Sequence, residues 1–441
     1  MQTQCVVAGG GPAGMMLGFL LARAGVRVIV LEKHADFLRD FRGDTIHPST
    51  LEIMYELGIL EEFLARPHQE VRQLTGRVAG ESVTIADFTH LPTYCKFLVL
   101  MPQWDFLDFL ATPPDVPADA RRNQLDLLNG LNAAHLRKHP GNADLEARLS
   151  HYELAARMQT AVDGLIEEQG RIAGVRVTTS GVADEIRADL VVGADGRHSV
   201  VRQRAGLAVD SLGAPIDVLW MRLPRRPGDP GQALGYVEGG HILVTFDRGD
   251  YWQCAFVIHK GGFDDIKARG LDAFREALAA IVPFMRDRMG ELRDWSDIKL
   301  LTVLVDRLRV WHRPGLLCIG DAAHAMSPIG GVGINLAIQD AVASANLLSG
   351  PLARGTCSDE DLARVQRRRE LPTRVVQRAQ VIAQDRVIGP ALRGTGPQQL
   401  PFVLKLLRWF PMLRRIPARL VGVGLRPEHV RTASRDREPR T

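Results

Sequence analysis

The chain has 441 residues, 46% of them hydrophobic and 24% charged, with a formal net charge of +4. That composition excludes a disordered, collagen-like or disulfide-scaffold chain, and the length suffices for about three average domains or one large interleaved fold. Residues 402–441 hold ten Lys/Arg against three Asp/Glu, a net +7, while the other 401 residues hold 45 against 48, a net −3; so near-neutral a body argues against a nucleic-acid-binding surface.

The elements follow in order. Residues 3–8 read as a short buried strand, 9–14 as a glycine turn, 12–25 as a helix and 27–32 as a second strand, a βαβ unit opening the chain. Pro12 and five glycines interrupt this apolar start, and no basic segment precedes it, so it is neither a signal peptide nor a membrane span. Residues 48–58 are expected to be helical, with Pro48 in the first turn and Gly58 past the end. Short alternating runs over 71–100 suggest antiparallel strands, and 104–111 a short apolar helix. At 112–150 Pro113, Pro114 and Pro117 break the pattern, and a polar stretch follows. It reads as a long insertion, partly helical around 121–137. Strands are expected at 171–178, at 189–193 and through 214–258, and a helix at 271–281. A buried strand at 315–319 leads into a helix from 332 to 349, and 358–384 is a long charged helix. No repeat of 20–50 residues is present. The five cysteines (Cys5, Cys95, Cys254, Cys318, Cys357) are scattered, with no C-x-x-C pair. That reads as free thiols in a reducing cytoplasm, without zinc.

Three motifs carry chemistry. In Gly9-Gly10-Gly11-Pro12-Ala13-Gly14, Gly9 permits a tight turn, Gly11 lets a pyrophosphate approach the backbone, and Gly14 lets helix and strand pack closely. The helix start supplies N–H groups and a positive dipole end, and Glu32, followed by Lys33, ends the second strand where an acid can bind a ribose hydroxyl. The acid favours FAD or NAD over NADP. The second motif is an apolar strand ending in Asp195-Gly196, with Ser199 and Arg202 one turn further on. Alone, it is equally a strand with an Asp-Gly turn and a capped helix. The third is Gly320-Asp321-Ala322-Ala323-His324, continuing through Pro328, Gly331, Val332, Gly333, Ile334 and Asn335. It delivers Asp321 to a strand's C-terminal end and bares backbone N–H groups at a helix start. Asp321 and His324 have metal-ligand spacing, but no further ligand is evident, so no metal site is expected.

Together these motifs resemble the FAD-dependent aromatic-ring hydroxylases of the p-hydroxybenzoate hydroxylase type, over roughly residues 1–111 and 153–430. The resemblance implies an α/β fold: a Rossmann-like FAD-binding domain interleaved with a mixed β-sheet substrate domain, then C-terminal helices. Its FAD-binding parts are expected at 1–71, 101–210 (with 112–152 inserted) and 291–385. Its substrate parts are expected at 72–100 and 211–290, with a basic helical segment at 386–441. The resemblance also makes Arg42 a phosphate contact and Gln103 a partner of the FAD linker, and lays Val162 against the adenine. Arg42 is alternatively a solvated arginine, and Gln103 a helix-start polar residue. Stretch 112–152 departs from the family, either as a real insertion or as a segment altered by a frame error.

The implied cycle uses NADPH or NADH to reduce FAD and O₂ to form a flavin C4a-hydroperoxide, whose terminal oxygen passes to a phenolic or polycyclic aromatic ring. Pro328 and the glycines after it are expected beside the reacting edge. His47 is the nearby side-chain candidate for a catalytic role, although a helix-entry histidine bonded to backbone carries more weight. Trp220, Tyr236, Phe246, Tyr251, Trp252 and Phe256 are candidates to line a pocket, about half of them facing the ligand. Arg222 and His241 are polar candidates, each more readily read as surface residues. A flavin dehydrogenase or reductase, or a flavin-binding protein without turnover, are the competing readings. The 400–426 stretch mixes aromatics with basic residues. It is expected to pack on the FAD domain with a basic outer face, and peripheral membrane contact is the alternative.

Overall fold

The computed structural model describes residues 1–34, 45–78, 80–111, 154–157, 159–179, 181–230, 234–394 and 401–432. Arg42 and the stretch 112–152 lie outside the described residues.

Five parallel strands lie side by side in the order Leu316–Cys318, Val182–Gly193, Gln2–Ala8, Val28–Leu31, Leu154–Arg157, with His312–Arg313 antiparallel at one edge. Val-Ile-Val-Leu at 28–31 is wholly buried, as a covered parallel strand requires. Helices Pro12–Arg23 and Gly333–Ala353 pack together on this sheet. Pro12 at the first helical position and Gly58 in the left-handed conformation after Pro48–Leu57 mark the helix ends that their sequences indicate. The Val182–Gly193 strand starts well before residue 189. Its first half, with the charged Asp184, Glu185 and Arg187, pairs antiparallel with Arg171–Thr179. Only its second half joins Gln2–Ala8. The exposed charged half masked the strand's start.

A second sheet has seven strands in the order Lys299–Leu301, Ile216–Pro224, Tyr251–His259, His241–Asp247, Leu234–Glu238, Gln73–Val78, Glu81–Asp87. All pairs are antiparallel except Leu234–Glu238 with Gln73–Val78. Two strands fall outside the expected grouping. Leu98–Leu100 pairs with Thr45–Ile46 and Gln69–Val71 in a small separate sheet, while Lys299–Leu301 joins the edge of the seven-stranded one. The fold is therefore α/β, with a Rossmann-like parallel sheet interleaved with a mixed sheet.

Helix Asp359–Ala383 begins with a reciprocal cap: Ser358 Oγ accepts from the Asp361 N–H at 3.3 Å, and Asp361 accepts from the Ser358 N–H at 3.1 Å. Among the described residues the short helices Gly389–Leu392, Phe402–Trp409 and Arg415–Gly422 follow. Phe402–Trp409 docks through Leu407, and Arg415–Gly422 through small residues. Ala418 is buried, and a Cβ on Gly422 would lie 2.7 Å from Leu91 Cδ1 and 3.3 Å from Pro48 Cγ. No helix among the described residues is long and apolar enough to cross a membrane.

Candidate functional site

Gly320, Asp195, Gly9 and Glu32 follow the C-terminal ends of four adjacent parallel strands, so the three motifs meet at one edge of the sheet. Ligands of open α/β sheets bind at that edge. Gly9 has φ +109°, and a Cβ on it would sit 2.3 Å from the Ala194 oxygen, which fixes the first motif against the second. A Cβ on Gly14 would lie 1.9 Å from the Gly9 carbonyl oxygen. In front of Gly11, by contrast, nothing lies within 4 Å. Gly11 opens the Pro12–Arg23 helix with no side-chain cap and no acid in the first turn. The helix start therefore has no side-chain acceptor for its leading N–H groups, as an anion site requires.

Glu32 is buried. Its Oε2 accepts from the Gly10 N–H and its Oε1 from the His34 N–H, both at 3.0 Å. The Thr160 N–H donates to the Glu32 carbonyl at 2.9 Å, bringing the Thr160–Glu168 strand, with Val162, beside the same strand end. Lys33 is exposed, and Gln103 is the buried first residue of helix Gln103–Ala111.

Asp195 caps the short helix Val200–Arg204 through the N–H groups of Val200 (2.7 Å) and Val201 (3.1 Å). Its other oxygen is buried without a protein partner, and burial raises the carboxyl above its ordinary value. Ser199 Oγ accepts from the Arg202 N–H at 2.9 Å. The Arg202 guanidinium reaches Asp306 at 3.1 and 3.2 Å and the Ala322 carbonyl at 3.4 Å, locking the second motif to the third. Asp321 is partly exposed, 3.5 Å from an Arg197 nitrogen. A Cβ on Gly320 would meet Ala13 and Ala337 at 3.2 Å, so both helices close on this turn. His324 turns to Asp340, not to Asp321, and among the described residues no group of His, Cys, Asp and Glu could hold a metal ion.

The segment after His324 is held from the long helix. Gln380 donates to the Ser327 and Ile329 carbonyls, both at 2.9 Å, and accepts from the Ser327 N–H at 3.2 Å. Gln384 donates to Ser327 Oγ at 2.8 Å. Pro328 and the Ile329–Gly331 turn are thereby fixed just ahead of helix Gly333–Ala353, whose first turn has no side-chain cap. The Asn335 side chain is wholly engaged. Its Oδ1 accepts from the His47 N–H and Thr50 Oγ1 at 2.8 Å, and its Nδ2 donates to the Thr45 and Gly331 carbonyls at 3.0 and 3.2 Å. His47 is the N-cap residue of Pro48–Leu57, with its Nδ1 2.7 Å from the Val421 carbonyl oxygen. Burial pulls its imidazole down to about 4, against partly offsetting backbone contacts from Val421 and Gly330.

The aromatics of the seven-stranded sheet divide by face. Trp220 and Phe246 stack at 6.1 Å in a cluster that includes Ile329 of the glycine turn. Tyr236, Trp252 and Phe256 lie on the other face, against helices Phe263–Ala268 and Leu271–Ile281. His241 packs on Phe256, and Arg222 stands over Tyr251 at 5.0 Å. A cleft of about 540 Å³ lined by Gln2, Arg171, Asp189 and Cys357 lies at the opposite, N-terminal end of the parallel strands and contains no motif residue. All five cysteines are free.

Sequence reasoning missed Thr45, Thr50, Asp306, Asp340, Arg369, Gln380 and Gln384, which hold the motifs without belonging to them. Open space at Gly11, an unpartnered buried oxygen on Asp195 and two uncapped helix starts fit a long anionic dinucleotide such as FAD. The sequence matches the FAD binding domain family over residues 2–379. It is 32% identical over 420 residues to the 6-methylpretetramide 4-monooxygenase of Streptomyces rimosus, covering 94% of this chain and 92% of that one. It is 27% identical over 352 residues to the dialkyldecalin synthase of Streptomyces rugosporus, covering 78% of this chain and 64% of the relative. The solved structure of OxyS anhydrotetracycline hydroxylase from Streptomyces rimosus aligns with a TM-score of 0.70 at 24% identity, covering 96% of this chain and 76% of that one. The chain belongs to the FAD binding domain family and, within it, to the FAD-dependent aromatic-ring hydroxylases.

Proposed function

We propose that the protein hydroxylates a polycyclic phenolic ring, with NADH or NADPH as reductant and O₂ as oxidant. The observation that carries this reading is the Trp220–Phe246 stack in one cluster with Ile329 of the glycine turn. Flat apolar side chains beside the glycine turn, where the cofactor's reacting edge would lie, suit a fused aromatic substrate. Two similar proteins are named for 6-methylpretetramide and anhydrotetracycline, which supports a substrate of that class.

When bound, FAD supplies the electron transfer and the oxygen activation. The chain's part is to hold and shield. Gly9, Gly11, Pro12, Ala13 and Gly14, with Arg42, would take the pyrophosphate, Glu32 and Lys33 the adenosine ribose side, and Val162 the adenine. Gln103, Asp195, Gly320 and Asp321 would take the sugar chain. The amides of Gly331, Val332, Gly333, Ile334 and Asn335, at the positive end of a helix, would stabilise negative charge on the ring edge. Pro328 and the Trp220–Phe246 wall would keep water from the substrate. His47 acts by position: a buried neutral ring that anchors the glycine turn and the tail to each other.

A second reading is a flavin-binding protein that does not oxygenate; one similar protein is named a dialkyldecalin synthase and not an oxygenase. Purified protein is reconstituted with FAD, reduced anaerobically with NADH or NADPH, then given ¹⁸O₂ with a polycyclic phenol. One ¹⁸O in the product is the expected result. Bound flavin with no label in any product, and no substrate-dependent O₂ uptake, would assign the second reading.

A further inference from the structure

We infer that the outward face of the C-terminal helices seats on an anionic lipid surface. Phe402, Trp409, Met412 and Ile416 are 67, 60, 73 and 66% exposed, and Val403 and Phe410 are exposed beside them. Phe402, Val403 and Trp409 fall within an arc of about 120° on their helix by its 3.6-residue period, Phe410 follows at its end, and Leu407 is buried. Large apolar side chains exposed together on a protein surface point to an interaction site.

The segment is fixed to the body, so its outer face is a formed surface. Ala418 and Gly422 pack on Phe88, Leu91 and Pro48. Arg408 pairs with Glu81, and Arg414 Nε donates to the Leu407 carbonyl at 2.8 Å, tying the two helices together. The expected basic outer face is instead apolar and basic together, because Leu407, Ala418 and Gly422 alone are buried in these two helices and the larger apolar residues stay outside.

Charge selects the occupant. Arg415 and Arg419 lie exposed among the apolar groups, and residues 402–441 hold ten basic against three acidic residues. Aromatic side chains interleaved with arginines suit the headgroup level of an anionic bilayer, where each basic group adds attraction. The helices adjoin Glu81–Asp87, the outer strand of the seven-stranded sheet, and His47 bonds to Val421. A bilayer there lies at the Glu81–Asp87 edge of the sheet whose inner strands carry Trp220 and Phe246.

The test is flotation of the full-length, FAD-loaded protein with vesicles of phosphatidylcholine alone or with about 30% phosphatidylglycerol. Wild type should float with the anionic vesicles, weakly with the neutral ones, and less as salt rises. The variants F402S/W409S/F410S and R415E/R419E should each lose on the order of tenfold in partitioning, with flavin absorbance unchanged. Equal flotation of wild type and both variants, or no flotation of wild type, overturns the inference. A wild-type dimer by light scattering that the aromatic variant turns into a monomer also overturns it, by assigning the face to a second copy of the chain.

Discussion

His324 Nε2 lies 2.5 Å from Asp340 Oδ2, and the same carboxylate oxygen accepts the Gly320 N–H at 3.1 Å. The other oxygen accepts from Arg369 Nε at 2.9 Å. One buried acid thus joins both ends of the Gly320–His324 motif to two helices. Burial alone would raise its carboxyl, but His324 and Arg369 hold it below the ordinary value.

Asp340→Asn should therefore leave a buried arginine without its main counter-ion. The expected loss is about 3–5 kcal/mol of unfolding free energy. FAD affinity should fall with it, since the Gly320 turn loses its anchor. Urea unfolding and flavin fluorescence titration measure the two effects. An unchanged urea midpoint would remove the network from the account of stability.

Gly11 and Gly14 should separate sharply. Gly11→Ala meets open space and an ordinary φ of −77°, so unfolding free energy should stay within about 0.5 kcal/mol. Its methyl group would occupy the pyrophosphate's approach, and FAD affinity should drop by at least roughly tenfold. Gly14→Ala puts a carbon 1.9 Å from the Gly9 carbonyl oxygen and should prevent soluble folding. A Gly11→Ala protein that binds FAD like wild type would place the cofactor elsewhere.

Gln380→Ala removes three hydrogen bonds around Ser327 and Ile329. At about 1 kcal/mol each, stability should fall by roughly 2–3 kcal/mol. The effect on chemistry should exceed the effect on binding, because Gln380 positions Pro328 and the turn and not the phosphates. FAD titration should be little changed, while coupling of reductant use to product falls. Product formed per reductant consumed is the measurement, and an unchanged ratio together with unchanged stability would free Gln380 of this role.

The three motifs were legible because glycine spacing, apolar strands and acids at strand ends coincide, and the parallel sheet follows from them. Asp340 was legible in principle as the single acid in the apolar run 334–348. Arg369, Gln377, Gln380 and Gln384 were not. Their helix is polar on its inward side as well as outward, so no periodicity separates a buried glutamine from a solvated one. Alternation separates Trp220 from Tyr236 and Trp252, but which face meets the glycine turn depends on the helices of 263–281 covering the other. In the tail, the strong apolar pattern suggested a buried face, whereas Ala418 and Gly422 make the close contact and leave larger residues outside.

His47 yields a prediction about pH. It is 1% exposed, and burial holds its ring at about 4 in the folded chain against an ordinary 6.5. Between those values the unfolded chain binds the proton and the folded chain does not, so stability falls as pH falls through that window. The contribution lost is about 3 kcal/mol in all. His47→Gln removes this titration, so urea unfolding measured from pH 7 to 4 should show wild type losing about that much more than the variant. Parallel curves would mean that the ring protonates in place. Being neutral around pH 7, His47 should also put no limb near 6.5 into the kcat profile, and the variant should keep the wild-type profile even where its rate is lower. A wild-type limb near 6.5 that disappears in the variant would turn His47 from a positioning residue into an acid–base one.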